Sequence, residues 1–331
     1  MTAPVVLVTA RSFGTGTRDL AAELSADGIR VLRGAADHRG LESSLAQADA
    51  WIAGTGPVSD RHLAAAPRLR VVARYGVGVD AVDLTAAARR GVLVTNTPGA
   101  NSGAVADHTI ALLLAALRGV AAGDKRVRGG SWTVGERSRE LGSLTVGVVG
   151  FGRIGRGVAD RLAGFGCRVL ATDPFVPAGV IAAAGAEPVA AAAIPARCDV
   201  VTLHAPGDSV VVEAGWLAAA RPGLVLVNTA RAALVDEAAL AGALRDGRVA
   251  AYAADTLAIE SGTESGESPL LADDLSDRVT VTPHTAAQTV EAVDLMGLGA
   301  VTAVRAVLAG ADPDPAVVVV GRGPLRERLL T

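Results

Sequence analysis

The stretch VGVVGFGRIGRGVADRLAGFGCRVLATD, residues 146–173, decides the fold. It opens as a buried strand and runs straight into Gly150, Gly152 and Gly155, a G-x-G-x-x-G that leads a helical pattern. Each glycine has a separate use: Gly150 allows the tight turn, Gly152 lets backbone approach a diphosphate, and Gly155 lets helix pack on strand. The diphosphate would lie on the unpaired N–H groups and positive dipole of the helix start, where Arg153 and Ile154 stand. A second strand then ends at Asp173, 18 residues after Gly155. A carboxylate there accepts from ribose hydroxyls and repels a 2′-phosphate, and "DPFVP" offers no arginine to welcome one. The expected cofactor is therefore NAD rather than NADP. The glycines of "SFGTGTRDL" (12–20) lack the third glycine and the spaced acid, and read as an ordinary turn.

Outward from this unit, short apolar runs alternate with helical patterns on both sides, the signature of βαβ units on parallel sheets. Strands are expected at 4–10, 28–34, 50–54, 69–76 and 92–96, and again at 144–150, 167–173, 186–190, 199–205, 224–230, 249–255 and 279–284. Helices are expected at 16–26, at 59–66 with Ser59 as N-cap, at 101–118 and at 286–309. Two parallel-sheet modules joined by two long helices is the economical reading, the second inserted into the first. The acidic, Ser/Gly-rich segment 259–278 reads as a long surface loop.

Bulk properties narrow the function. The 331 residues are half hydrophobic, with net charge −3 and pI about 6.0, which gives no sign of nucleic-acid or membrane-surface binding. The best apolar run, "TIALLLAAL" (109–117), is too short to span a bilayer. The N-terminus shows no signal-peptide pattern, so the cytosol is the expected compartment. Two cysteines, Cys167 and Cys198, make neither a disulfide framework nor a zinc site, and no metal is expected.

Ligands of such sheets bind beyond the carboxyl ends of the strands. The polar residues ending the second series are Asp173, His204, Thr229 with Arg231, Asp255 followed by Glu260, and His284. One cation, one carboxylate and one imidazole form a complete set for hydride chemistry on a 2-oxo acid. A guanidinium forks onto the substrate carboxylate and polarises the neighbouring carbonyl. An imidazole held by a carboxylate supplies the proton in reduction and removes it in oxidation. Arg231 would be the clamp, His284 the acid–base and Glu260 its orienter. Asp255 reads as an acceptor for the nicotinamide carboxamide, and His204 as lining the cofactor pocket. His108 reads as a packing or dimer contact, His38 and His62 as surface residues, and both cysteines as inert. Asn101 reads as an N-cap, a substrate contact or both.

The segments "VGVVGFGRIG", "VNTARAALVDEAAL", "AYAADTLAIE", "VTPHTAAQT", "RYGVGVDAVDL" and "VTNTPGANSGAVADHTIALLL", spread over about residues 50 to 310, resemble those of the D-isomer-specific 2-hydroxyacid dehydrogenases and stand in the right order along the chain. The resemblance implies two doubly wound parallel-sheet α/β domains. A Rossmann NAD-binding domain (99–285) would be inserted into a flavodoxin-like substrate domain (1–98 and 286–331), and a homodimer is typical. It puts catalysis on Arg231, Glu260 and His284, and the substrate-carboxylate loop on Tyr75, Gly76, Val77 and Gly78 through their N–H groups. Arg74 is then a candidate for a second anionic group, beside Asn101, Arg231 and His284. The cofactor would meet Gly150, Gly152, Arg153, Ile154, Gly155, Asp173, His204, Pro206, Thr229, Ala230, Arg231, Asp255 and His284.

Some positions depart from the family pattern. Ala232-Ala233 replace the usual Gly-Gly after the arginine, Thr285-Ala286-Ala287 replace Ile-Gly-Gly or Ile-Ala-Gly after the histidine, and Asp107 replaces a glutamate. The added methyls would reshape the pocket near nicotinamide and substrate. Phosphoglycerate is disfavoured, because "AGTGPVSD" (53–60) has no basic residue before Arg61 and the chain ends too early for a regulatory domain. Phosphite is disfavoured because "YGVGVD" lacks a lysine. A phosphono- or dicarboxylate 2-oxo acid stays open. The competing readings are a non-catalytic, corepressor-like NAD sensor and a formate dehydrogenase. The intact triad argues against the first, and Ala/Gly-rich sequence at 99–103, with a glutamate at 260, argues against the second.

Overall fold

The computed structural model describes residues 3–135, 138–207, 209–261 and 268–321, the side chains of Glu260 and Ser261 excepted. The chain divides into two compact units, one of residues 1–104 and 287–331, the other of residues 105–286. The boundaries expected from sequence lie at 98/99 and 285/286. The first of these falls six residues short because the helix Ser102–Arg118 begins in the first unit.

In the first unit the strands are β1 (Val5–Val8), β2 (Arg30–Arg33), β3 (Ala50–Ala53), β4 (Val71–Arg74) and β5 (Leu93–Thr95). All pair in parallel, in the order β5-β4-β3-β1-β2. β1, β3 and β4 are buried along their whole length, which is why they read as continuous apolar runs rather than alternating ones. The helix Val290–Leu308 packs on this sheet, with Met296, Ala300, Val304 and Val307 in its core. Its N-cap is Thr289, whose hydroxyl accepts from Ala292 N–H. Ser59 caps the Asp60–Ala64 helix in a capping box with His62, as the spacing predicts. The first helix is shorter than expected, Leu20–Ala26, because Asp19 rather than an earlier residue takes the cap.

The second unit carries β6 (Thr145–Val149), β7 (Arg168–Thr172), β8 (Glu187–Pro188), β9 (Val200–Leu203), β10 (Leu224–Asn228), β11 (Val249–Ala254) and β12 (Val279–Val281). The order is β12-β11-β10-β9-β6-β7-β8, again parallel throughout. The chain reverses direction across the sheet between β6 and β9, which is where such folds open a ligand crevice at the carboxyl edge. One further strand goes beyond the sequence reading. β13 (Val318–Val320) adds to the first sheet antiparallel to β5. The segment 268–278 is also not the surface loop expected of it: Ser268, Leu270 and Leu275 are buried, the two leucines in the core of the second unit. Residues 262–267 of that segment lie outside the described residues.

Candidate active site

The glycine loop behaves as its spacing requires. Gly150 has φ +90°, and a Cβ there would press on the His204 carbonyl at 2.6 Å and Ala205 N at 2.8 Å. A methyl at Gly155 would sit on the Gly150 carbonyl oxygen. Gly152, in contrast, is exposed and faces open space. The helix Arg153–Ala163 starts directly after it, presenting the orphan N–H groups of its first turn. Asp173 closes the frame. Its Oδ2 accepts from Phe151 N–H at 2.7 Å and its Oδ1 from Phe175 N–H at 2.8 Å, so the carboxylate is fixed in orientation at the end of β7. The turn, the open glycine and the fixed acid fit a dinucleotide.

β10, β11 and β12 are neighbours, so Arg231, Asp255 and His284 follow three adjacent strand ends. Asn228, fully buried, shapes the turn that carries the arginine. Its Nδ2 donates to the Arg231 carbonyl at 2.8 Å and its Oδ1 accepts from Ala230 N–H at 3.0 Å. Arg231 Nη1 donates to the Ala230 carbonyl at 2.9 Å, and its side-chain stem packs close to Gly207. Ala232 and Ala233 lie at the start of a 3₁₀ turn, and neither has positive φ, so the usual glycines are replaced without backbone strain. Thr229 is buried and its hydroxyl shares a 2.8 Å hydrogen bond with Thr109. Pro206 is exposed beside this turn.

His284 is exposed and has φ +53°, one of two non-glycine residues with positive φ among the described residues. Its N–H donates to the Asp255 and Thr282 carbonyls, both at 3.0 Å. The Asp255 carboxylate is buried and accepts four hydrogen bonds. Thr282 Oγ1 lies at 2.5 Å, Thr285 N–H at 2.9 Å and Thr285 Oγ1 at 3.5 Å from Oδ1, and Ala286 N–H at 2.8 Å from Oδ2; His108 Nε2 comes within 3.5 Å of Oδ1. Glu260 falls in the 3₁₀ turn Ala258–Ser261, and its side chain lies outside the described residues. Glu237 accepts from Ala258 N–H at 2.8 Å and from the Ser268 hydroxyl at 2.5 Å.

His204 ends β9. Its Nε2 shares a 2.9 Å hydrogen bond with the Thr202 hydroxyl, its Nδ1 is sequestered without a partner among the described residues, and burial pushes its pKa down to about 3. Burial thus disfavours the charged form of this imidazole. Burial pushes the Cys198 thiol up to about 11 and raises Cys167 as well, so neither is nucleophilic near neutral pH.

In the first unit, Arg74 is 6% exposed, with Nε on the Gly78 carbonyl at 3.0 Å and Nη1 on the Ala53 carbonyl at 3.2 Å. Two of its donors thus brace backbone. Tyr75 N–H and Gly76 N–H donate to the Ala53 and Arg74 carbonyls, both at 3.0 Å, and the Tyr75 hydroxyl to Val293 O at 2.9 Å. Of the four N–H groups expected to meet an anion, those of Tyr75 and Gly76 are therefore already engaged by backbone carbonyls. Asn101 Oδ1 is buried without a partner among the described residues. His38 and His62 are not the surface residues they seem in sequence. His38 is 1% exposed, its ring 4.9 Å from that of Trp51, and His62 Nε2 meets the His38 carbonyl at 3.0 Å.

Residues 110–286 match the model of the D-isomer specific 2-hydroxyacid dehydrogenase NAD-binding domain. The chain belongs to that family. It is 43% identical over 290 residues to the D-3-phosphoglycerate dehydrogenase of Mycobacterium leprae, a match covering 86% of this chain and 54% of that protein. The chain thus spans about half the length of the curated relatives it matches. Among solved structures, a Thermus thermophilus protein superposes with TM-score 0.82 at 34% identity, over 96% of this chain and 100% of that one. The D-lactate dehydrogenase of Aquifex aeolicus, complexed with NAD and lactic acid, superposes with TM-score 0.84 at 25% identity, over 97% and 100%. The NAD-binding domain assigned by this match is the one whose glycine loop and Asp173 are described above. Asn228, His108 and Glu237 have no role at the site in the sequence reading, because each acts on backbone or on a neighbour rather than on a ligand.

Proposed function

We propose that the chain is an NAD-dependent dehydrogenase interconverting D-2-hydroxy acids and 2-oxo acids. The observation that supports this best is the arrangement of Arg231 and His284 on strand ends flanking Asp255, on a family NAD-binding domain with an open glycine loop. Bound NADH supplies the hydride. Arg231 holds the substrate carboxylate and polarises the carbonyl, and His284 gives its proton to the carbonyl oxygen as the alcohol forms. Glu260 orients the imidazole and favours its protonated form. In the first unit, Val77 and Gly78 N–H groups and Asn101 Oδ1 are available to a substrate, while Arg74 shapes the loop that presents them. Asp173 favours NADH over NADPH.

The substrate is a small 2-oxo acid. A second reading, 3-phosphoglycerate oxidation, is favoured by the names of the relatives at 36–43% identity. Against it stands the absence of a basic residue in 53–60. A homodimer is proposed on the family resemblance and on Trp132 and Val134, which are 87% and 96% exposed. The experiment is NADH oxidation against glyoxylate, pyruvate, hydroxypyruvate, phosphohydroxypyruvate, branched, dicarboxylate and phosphono 2-oxo acids, with His284→Ala alongside. Turnover lost in the variant supports the reading. NADH binding with no turnover of any acid would favour the NAD-sensor alternative.

A further inference from the structure

The Asp255 carboxylate accepts four hydrogen bonds, all from Thr282, Thr285 and Ala286, residues that flank His284. One further polar group approaches from far away in sequence. His108, on the helix Ser102–Arg118, places Nε2 2.9 Å from Thr282 Oγ1 and 3.5 Å from Asp255 Oδ1. The direction of these bonds follows from the inventory of protons. Asp255 is an acceptor, so the Thr282 hydroxyl must give its single proton to Oδ1. The hydroxyl oxygen can then only accept from His108, which fixes the proton of that ring on Nε2. The result is a directed chain, His108 Nε2–H to Thr282 to Asp255, ending on the carboxylate that also accepts the two N–H groups following His284.

This chain acts on a strained backbone. Non-glycine residues with positive φ are strained and persist only when their surroundings hold them. His284 is such a residue, and its segment is pinned from both sides of Asp255, by the carbonyl to His284 N–H and by the carboxylate to Thr285 and Ala286. An imidazole that must meet a carbonyl oxygen within hydrogen-bond reach tolerates little drift. We propose that His108 is a positioning residue for the reaction, setting the orientation of Asp255 and through it the backbone that presents His284. The inference rests on the dehydrogenase reading. It assigns Asp255 a structural duty toward the proton donor, beside whatever it offers the cofactor.

The test compares His108→Leu with His108→Gln in the full chain. Glutamine keeps a donor near the Nε2 position; leucine removes it. The expected result for His108→Leu is a drop in kcat of about 10²-fold, with NADH affinity and substrate KM within twofold of wild type. The exchange of the Thr285 and Ala286 amides should accelerate at least tenfold, and His108→Gln should recover most of both losses. Equal kcat in wild type and His108→Leu, or unchanged amide exchange, would overturn the proposal. So would failure of glutamine to recover either. If leucine merely impairs folding, NADH affinity falls with kcat and glutamine still decides the matter. Should wild type reduce no 2-oxo acid, the dehydrogenase reading fails, while the amide exchange of the two variants still reports whether His108 holds this segment.

Discussion

Acid lability of the first unit follows from His38. Its two ring nitrogens are both engaged in the interior: Nδ1 lies 2.9 Å from the Pro57 carbonyl and Nε2 2.7 Å from Thr9 Oγ1. The carbonyl accepts, so Nδ1 carries the proton and Nε2 receives the threonine hydroxyl. Thr9 Oγ1 in turn accepts from Trp51 Nε1 at 3.0 Å and Gly54 N–H at 3.3 Å. A second proton on the ring would face a hydroxyl with no lone pair left. Burial, the largest cause, with the charges of His62 and Arg74 added, lowers the His38 pKa from 6.5 to about 4; the Pro57 carbonyl and Asp37 oppose this. The unfolded chain therefore binds the proton first, and stability is full above pH 6.5 and falls as pH drops toward 4. At 1.36 kcal/mol per pH unit, the His38 share lost between pH 8 and pH 5 is about 2 kcal/mol. The assay is urea unfolding of wild type and His38→Gln at both pH values, followed by tryptophan emission. Subtracting the variant's pH response from that of wild type removes the contribution of His204 and the carboxylates. A difference below about 0.5 kcal/mol, the usual error of additivity, would refute the network as drawn.

Two glycine substitutions should separate folding from cofactor binding. Gly155→Ala puts a methyl on the Gly150 carbonyl and is expected to cost about 1–3 kcal/mol in a thermal or urea melt. Gly152→Ala meets no protein atom, so its melt should match wild type while NADH affinity, read by fluorescence titration, falls at least tenfold, about 1.4 kcal/mol. Asp173→Ser removes the charge that repels a 2′-phosphate, and the NADPH-to-NADH ratio of kcat/KM should rise at least tenfold, again about 1.4 kcal/mol. On the homodimer proposal, Trp132→Ser should weaken self-association in sedimentation velocity without changing NADH affinity, since that side chain is 87% exposed in the single chain.

The sequence is most readable where a local rule has only one solution. Gly150, Gly152 and Gly155 stand at a set spacing between a strand and the start of a helix, and Asp173 at the end of the next strand; spacing alone carries that information, even though the Gly150 contact lies with distant His204 and Ala205. The parallel sheets are readable for a similar reason, since strands covered on both faces lose their polar alternation. The misreadings share an opposite cause. His38 sits in the polar segment "GAADHRGLESS", and nothing near it announces that Trp51 and Thr9 close over it. Leu270 and Leu275 are hidden in the same way by acidic neighbours, and β13 is too short to show a period.

The site itself divides along the same line. Arg231 and His284 stand out in the sequence because each follows an apolar, β-branched run, although of the two strands they follow only β10 is fully buried in the structure, while β12 is partly exposed and His284 is exposed. What holds them is not visible. Asn228 bonds to carbonyl and N–H groups of its own turn, and any polar residue at a strand end would look the same. His108 and Thr282 are 174 residues apart and Asp255 and Thr282 are 27 apart, so the chain that steadies His284 exists only once β11, β12 and the Ser102–Arg118 helix are packed. Two of the groups it holds are the backbone N–H groups of Thr285 and Ala286, which have no side-chain signature. The same fact bears on the departures from the family pattern. Thr285 and Ala286 hold Asp255 chiefly through backbone N–H groups at 2.9 and 2.8 Å, the Thr285 hydroxyl adding a longer contact at 3.5 Å, so the segment keeps its main anchors when these side chains differ from the usual isoleucine and glycine. Substitutions at these two positions should therefore change which acid fits, whereas substitutions at His108 should change how fast any acid reacts.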